Sequence, residues 1–141
     1  MKTRFRSQAG FTLIEVMVVV AILGILATIV MTNVIGKDDQ ARVTTAQTSL
    51  KAVANALDMY KLDNHRYPST DEGLQALVEK PASAKSWPDG GYLSGGMPQD
   101  PWGNPFQYVY PGSNKRKFDL YSLGADGAEG GEGYDADIHF E

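Results

Sequence analysis

Gly10-Phe11-Thr12-Leu13-Ile14-Glu15 is the stretch that decides how this chain folds. Before it, Met1–Gly10 is short and basic, carrying Lys2, Arg4 and Arg6 and no acid. After it, Phe11–Ile35 is mostly apolar, with Glu15 as its one charged residue. As a helix, Phe11–Ile35 would rise about 37 Å at about 1.5 Å per residue, enough to span a hydrocarbon core of about 30 Å. A basic leader before an apolar run has the outline of a secretory signal. However, the run is longer than an h-region of roughly 7–15 residues, and Ala27-Thr28-Ile29 is a poor cleavage pattern. The segment therefore reads as a membrane span whose basic N-terminal flank stays in the cytoplasm and sends the rest of the chain outward.

Glu15 is the anomaly in that span. A carboxylate at depth costs roughly 2.5–3.5 kcal/mol, less near the interface. Two readings are open. The side chain reaches back to the headgroups from the start of the helix, or it pairs with a cation supplied from elsewhere. A cut after Gly10 would create one, the α-amino group of Phe11, about one turn away within the same helix. A neighbouring copy staggered along the axis could also bring its amine to this carboxylate, neutralising two charges in lipid and fixing the stagger.

Beyond Gly36-Lys37-Asp38-Asp39 the pattern turns amphipathic. Val43, Ala46, Leu50, Val53, Leu57 and Tyr60 recur at alternating steps of three and four, the stripe of a helix with one buried face. Lys51, Asp58 and Lys61 fall off it. As one helix, Phe11 to about Asp63 would run roughly 80 Å. Asn64-His65-Arg66-Tyr67-Pro68 ends it. Ser69-Thr70-Asp71-Glu72 has the spacing of a capping box, and Leu74, Leu77 and Val78 give a short second helix an apolar face before Pro81 stops it. His65 has no partner at ligand spacing and is expected on the surface.

Pro81–Gln99 is loop-like, with Trp87 and Tyr92-Leu93 as anchors onto the core. Asp100-Pro101-Trp102-Gly103-Asn104-Pro105 is dense in turn residues and predicts a rigid turn with a buried indole. Phe106–Tyr110 and Lys117–Ser122 flank Gly112-Ser113-Asn114 and predict an antiparallel hairpin. A third strand is expected around Tyr134–Phe140 or near Tyr92. The fold class is α+β: a long N-terminal helix, a short second helix and a small antiparallel sheet.

Composition narrows the function. The chain has 141 residues, a formal net charge of −4 and no cysteine. That balance, without a basic patch interleaved with aromatics, argues against nucleic acid as a partner. No disulfide, thiolate metal site or Cys nucleophile is possible. No phosphate-cradling loop, His-Glu-x-x-His or Gly-x-Ser-x-Gly elbow occurs, so no enzyme is expected.

The acids gather at the C-terminus. Leu123–Ile138 is rich in glycine and holds Asp126, Asp135 and Asp137. Ordering so many glycines is entropically costly. Three converging carboxylates with backbone carbonyls suit Ca²⁺, which takes roughly six to eight oxygens in flexible geometry. The spacing is not that of an EF-hand, and a solvated acidic tail is an equally open reading.

The motif Gly10-Phe11-Thr12-Leu13-Ile14-Glu15 resembles the N-terminal signal of type IV pilins and pseudopilins. Three further stretches narrow the resemblance to the major pseudopilins of the type II secretion system: Tyr67–Leu77, Asp100–Pro105 and Asp119–Gly127. The resemblance implies that residues 1–10 are a leader removed by a prepilin peptidase between Gly10 and Phe11, and that Phe11 is then N-methylated. Residues 11–36 would form the transmembrane and filament-core helix, and 37–141 the globular domain. Glu15 would serve register and assembly. It also implies a structural Ca²⁺ held by the Asp126 and Asp137 side chains and the Leu123 carbonyl, with Asp135 a further candidate. Thr32 stands where many relatives carry a helix-breaking proline. The implied protein is single-pass in the inner membrane with its globular domain in the periplasm. It would polymerise into a helical filament with minor pseudopilins and an inner-membrane assembly platform, driving export across the outer membrane. Two rivals stand beside it: a type IV pilin of a surface fibre, and a membrane-anchored monomeric calcium-binding protein.

Overall fold

The computed structural model describes residues 10–141, with the backbone alone for 29–37. The basic leader residues Lys2, Arg4 and Arg6 lie outside the described residues. Helix α1 runs Leu13–Asn64 and includes Thr32 within its helical backbone. Two compact units result, Met1–Asp38 and Asp39–Glu141, and each is considered by itself.

In the first unit every described side chain from Gly10 to Thr28 is exposed. Leu13, Ile14, Met17, Val20, Leu23 and Ile25 all present more than half of their surface. The fully described part, Leu13–Thr28, rises only about 24 Å. Among the described residues no helix is long and apolar enough to cross a membrane. The expected span Phe11–Ile35 continues into 29–37, whose side chains lie outside the description.

The second unit is built on the other end of α1. Ala46, Leu50, Val53, Leu57 and Tyr60 are buried and Val43 is half-buried, so the expected stripe is the buried face. Ala54 and Ala56 widen it, while Lys51 and Lys61 are exposed. The helix ends at His65, whose φ of 61° lets its N–H donate to the Lys61 carbonyl at 2.7 Å, a left-handed cap. The imidazole is exposed, as expected.

The Ser69–Glu72 capping box forms in both directions. Ser69 N–H donates to Glu72 Oε2 (2.8 Å) and Glu72 N–H to Ser69 Oγ (3.2 Å). The second helix is shorter than expected: a single 3₁₀ turn, Leu74–Leu77. Gly73, at φ 56° and ψ −163°, interrupts helical continuity directly after the box. Leu74, Ala76 and Leu77 still bury their side chains. Tyr92 N–H donates to the Leu77 carbonyl at 2.8 Å, and Trp87 Nε1 donates to the Ala76 carbonyl at 3.2 Å. Both aromatics therefore anchor the loop, although no strand forms at Tyr92.

Three strands make a meander in the order β1-β2-β3: β1 Gln107–Val109, β2 Asp119–Ser122 and β3 Ile138–His139. Both pairings are antiparallel, with Tyr108 opposite Leu120 and Ser122 opposite Ile138. Tyr108 and Leu120 face the helix-side core with Phe106 and Phe118. The hexapeptide turn differs from its expectation in what holds it. Trp102 is only half-buried; Asp100 is the buried residue, 5 % exposed. Its Oδ1 accepts the N–H groups of Trp102 (3.0 Å) and Asn104 (2.8 Å). Its Oδ2 accepts the Ser122 hydroxyl at 2.6 Å. A carboxylate that satisfies three donors organises the turn better than an indole with no polar partner to place.

Arg66 clamps the loop after α1. Its two terminal nitrogens donate to Glu72 Oε2 and Oε1 at 2.8 and 2.9 Å, and the Ser83 hydroxyl also donates to Glu72. The Arg66 guanidinium is the main reason that the Glu72 carboxyl is held down at about 2. A depressed folded value stabilises the fold above the ordinary carboxylate range, and the contribution is lost as pH falls through about 2. Thermal melts of Glu72→Gln and the parent are expected to differ most above pH 4.5. The difference should close on acidification towards about 2. A constant gap across that range would remove the ion pair from the acid response.

Candidate functional site

The first candidate site is the head of α1. Helix α1 starts at Leu13 rather than Phe11 because Thr12 is its N-cap. Thr12 N–H donates to Glu15 Oε2 at 2.9 Å, the Thr12 hydroxyl donates to the same oxygen at 3.1 Å, and Glu15 N–H donates to Thr12 Oγ1 at 3.3 Å. This is a reciprocal capping box, so Glu15 has an acceptor role inside its own helix. Thr12 is the residue that sequence reasoning passed over, although Thr-x-x-Glu is the same capping spacing as Ser69–Glu72. Gly10 has no heavy atom within 4 Å of the position a side chain would take. Phe11 is 88 % exposed. Among the described residues nothing packs against the Gly10 side of the junction, and only three residues separate Phe11 from Glu15.

The second candidate is the loop between β2 and β3. Gly124 N–H donates to the Ser122 hydroxyl at 3.2 Å, fixing where the loop leaves the sheet. Ala125 N–H donates to the Tyr134 carbonyl (3.0 Å) and Asp137 N–H to the Gly130 carbonyl (3.2 Å). A Cβ at Gly131 would stand 2.4 Å from the Asp135 carbonyl oxygen, and one at Gly124 2.6 Å from it. Both positions also need positive φ, 80° and 69°, so only glycine fits where this carbonyl packs.

The expected ligands are distributed unevenly around this loop. Leu123 is half-buried, while Asp126 and Asp135 are exposed. Asp126 Oδ1 accepts Ala128 N–H at 3.0 Å, forming an Asx turn. Asp137 Oδ2 accepts Gly130 N–H at 3.1 Å, but its Oδ1 is buried with no hydrogen-bond partner. An orphaned carboxylate oxygen is costly unless something cationic meets it, and that fits a hard cation. Among the described residues no three Asp, Glu or His side chains gather as a metal cluster. A Ca²⁺ here would therefore draw on Asp137 and on backbone carbonyls, of which Leu123 is one candidate, more than on converging carboxylates.

Comparison with known proteins places the chain in a family. The profile described as "Type II secretion system (T2SS), protein G" matches residues 33–141. The profile described as "Prokaryotic N-terminal methylation motif" matches residues 5–31. The chain is 61% identical to the type II secretion system core protein G of Pseudomonas aeruginosa over 136 residues, covering 94% of each. It is 54% identical to the protein of the same name from Vibrio cholerae, covering 96% of this chain and 92% of that one. Among solved structures it is similar to the major pseudopilin from the type 2 secretion system of enterohaemorrhagic Escherichia coli. That similarity has a TM-score of 0.64 and 40% identity, and covers 76% of this chain and 92% of the other. The long helix, short second helix and three-stranded sheet are thus the pilin-like α+β fold, and the chain belongs to the type II secretion system protein G family of major pseudopilins.

Proposed function

We propose that this chain is processed between Gly10 and Phe11 by a prepilin peptidase, N-methylated at Phe11, and polymerised into the periplasmic pseudopilus that drives protein export across the outer membrane. Before assembly the apolar helix holds it in the inner membrane with residues 37–141 in the periplasm. Its role is structural, in keeping with its likeness to a major pseudopilin. The observation that carries this function is the head of α1. Apolar side chains from Leu13 to Leu26 are exposed among the described residues, and an exposed apolar surface of that extent requires lipid or other subunits over it. Lipid covers it in the monomer, and neighbouring helices cover it in the filament.

Glu15 links the two states. In the monomer its charge is spread over Thr12 N–H and hydroxyl donors. In the filament the new amine of a neighbour's Phe11 takes that carboxylate, a charge-assisted contact about twice as strong as a neutral one. Minor pseudopilins and the assembly platform of the secretion system supply the start and the driving of the polymer. Ca²⁺, when bound, supplies positive charge to Asp137 Oδ1 and so orders the glycine-rich loop, with Leu123, Asp126 and Asp135 as the other candidate ligands.

Co-expression with a prepilin peptidase tests the first step. The chain should shorten by the mass of Met1–Gly10 and gain one methyl group, and with the secretion apparatus present it should form filaments visible by electron microscopy. An unchanged mass would remove Gly10–Phe11 as the processing site, and processed chain without filaments would remove the polymer.

A further inference from the structure

A groove of about 250 Å³ is shared by the turn between β1 and β2 and the glycine-rich loop, and Arg116, Asp119, Glu129 and Asp137 all line it. Its two aspartates are built alike. One oxygen of each is held by a backbone amide: Asp119 Oδ2 accepts Ser113 N–H at 2.8 Å, and Asp137 Oδ2 accepts Gly130 N–H at 3.1 Å. The other oxygen of each, Oδ1, is buried with no hydrogen-bond partner. Carboxylate oxygens taken out of water without a donor are costly. The groove therefore concentrates negative charge that its own hydrogen bonds leave unmet.

The cation beside them is equally unfinished. A guanidinium carries five N–H donors, yet Arg116 Nη1 stands 4.0 Å from Asp119 Oδ1, outside hydrogen-bond distance. The backbone that carries it is braced. Arg116 N–H donates to the Ser113 carbonyl at 2.9 Å, and the N–H of the same Ser113 holds Asp119. This ties Arg116 to the turn side of the groove, while the loop supplies Glu129 and Asp137. Lys117 is placed differently: it lies 3.9 Å from Asp58 of α1 and takes no part in the groove.

We propose that Arg116 is the resident counter-cation of this groove and that its charge sets the calcium affinity of the glycine-rich loop. The inference rests on the calcium reading of that loop. In the metal-free chain Arg116 offsets the carboxylates of Asp119, Glu129 and Asp137, which would otherwise repel one another. A calcium ion meeting Asp137 Oδ1 then shares the groove with a second positive charge. Repulsion between partly buried charges is screened less than at an open surface, so the ion binds more weakly than the loop oxygens alone would allow. Arg116 thereby raises the calcium concentration at which the loop fills. The coupling is reciprocal: whatever Arg116 adds to the metal-free fold, it withholds from the calcium-bound one.

The test is calcium titration by calorimetry on the full-length chain in detergent, with thermal melts in chelator and in saturating calcium. Arg116→Gln should bind calcium several-fold more tightly than the parent. It should also melt a few degrees lower in chelator, with the gap narrowing in calcium, as linkage requires. Arg116→Lys keeps the charge and should stay near the parent in both measurements. Lys117→Gln removes a charge of the same turn from outside the groove and should leave the affinity near the parent's. Parent affinity in Arg116→Gln overturns the inference while leaving the calcium site intact, as does an equal melting deficit in both conditions, which would make Arg116 merely structural. An equal gain from Lys117→Gln assigns the effect to net charge and also overturns it. Parent chain that binds no calcium overturns the calcium reading and the inference together.

Discussion

Glu15→Val is expected to insert into the membrane as well as the parent chain and to form no filaments. Removing a carboxylate from the apolar segment relieves an insertion cost of roughly 2.5–3.5 kcal/mol at depth, so anchoring is not the function at risk. Assembly loses the acceptor for the neighbour's Phe11 amine. Because Glu15 also caps its own helix through Thr12, a second substitution separates the two roles. Glutamine serves at the third position of a capping box nearly as glutamate does but carries no charge. Glu15→Gln should therefore keep the helix head, with membrane fractionation unchanged, and still lose filaments. Filaments of normal length from Glu15→Gln would make Glu15 a capping residue and nothing more.

Removing calcium should produce the second large effect. An ion that binds only the folded state, present at about a hundred times its dissociation constant, stabilises by about 2.7 kcal/mol. For a domain of about a hundred residues that corresponds to a melting temperature shift of about 10 °C or more. Melts of the processed chain with excess calcium and with a chelator should differ by that amount. Asp137→Ala should melt at the same temperature with calcium and with chelator, because the orphaned oxygen that would meet the ion is gone. Identical wild-type melts with and without calcium would leave the loop without its ion and return it to the solvated acidic tail.

The helical half of this molecule was legible because periodicity is a global signal. A stripe at three-and-four spacing from Val43 to Tyr60 can bury only one way, and Leu50, Leu57 and Tyr60 are among the most completely buried side chains of the core. The hairpin was legible from its turn residues, though its strands are shorter than expected because the turn and its braces occupy 110–118. The second helix is shorter than its capping signal suggests. Ser69 and Glu72 form the box that their spacing promises, but a box satisfies donors only at a helix start, and Gly73 turns left-handed before another turn can form. The hexapeptide misleads for a related reason: hydrophobicity points at Trp102, whereas the donors left over by a tight turn point at Asp100. At the head of α1, Glu15 stands out in the sequence because a lone charge in an apolar run is a local property, whereas its Thr12 partner shows only in the folded cap. The loop aspartates could not be ranked so, since which carboxylate oxygen lacks a donor depends on backbone contacts between residues such as Gly130 and Asp137 that no spacing rule encodes.

The Asp100–Ser122–Gly124 chain of hydrogen bonds draws a boundary for motion. Asp100 holds the Ser122 hydroxyl, and that hydroxyl holds the first amide of the loop. Opening of the glycine-rich segment thus stops at Gly124, where it meets a buried carboxylate already committed to three donors. Residues 125–136, mostly exposed, can then open without the sheet opening with them. A fold built this way keeps whatever happens in its glycine-rich loop from reaching the core.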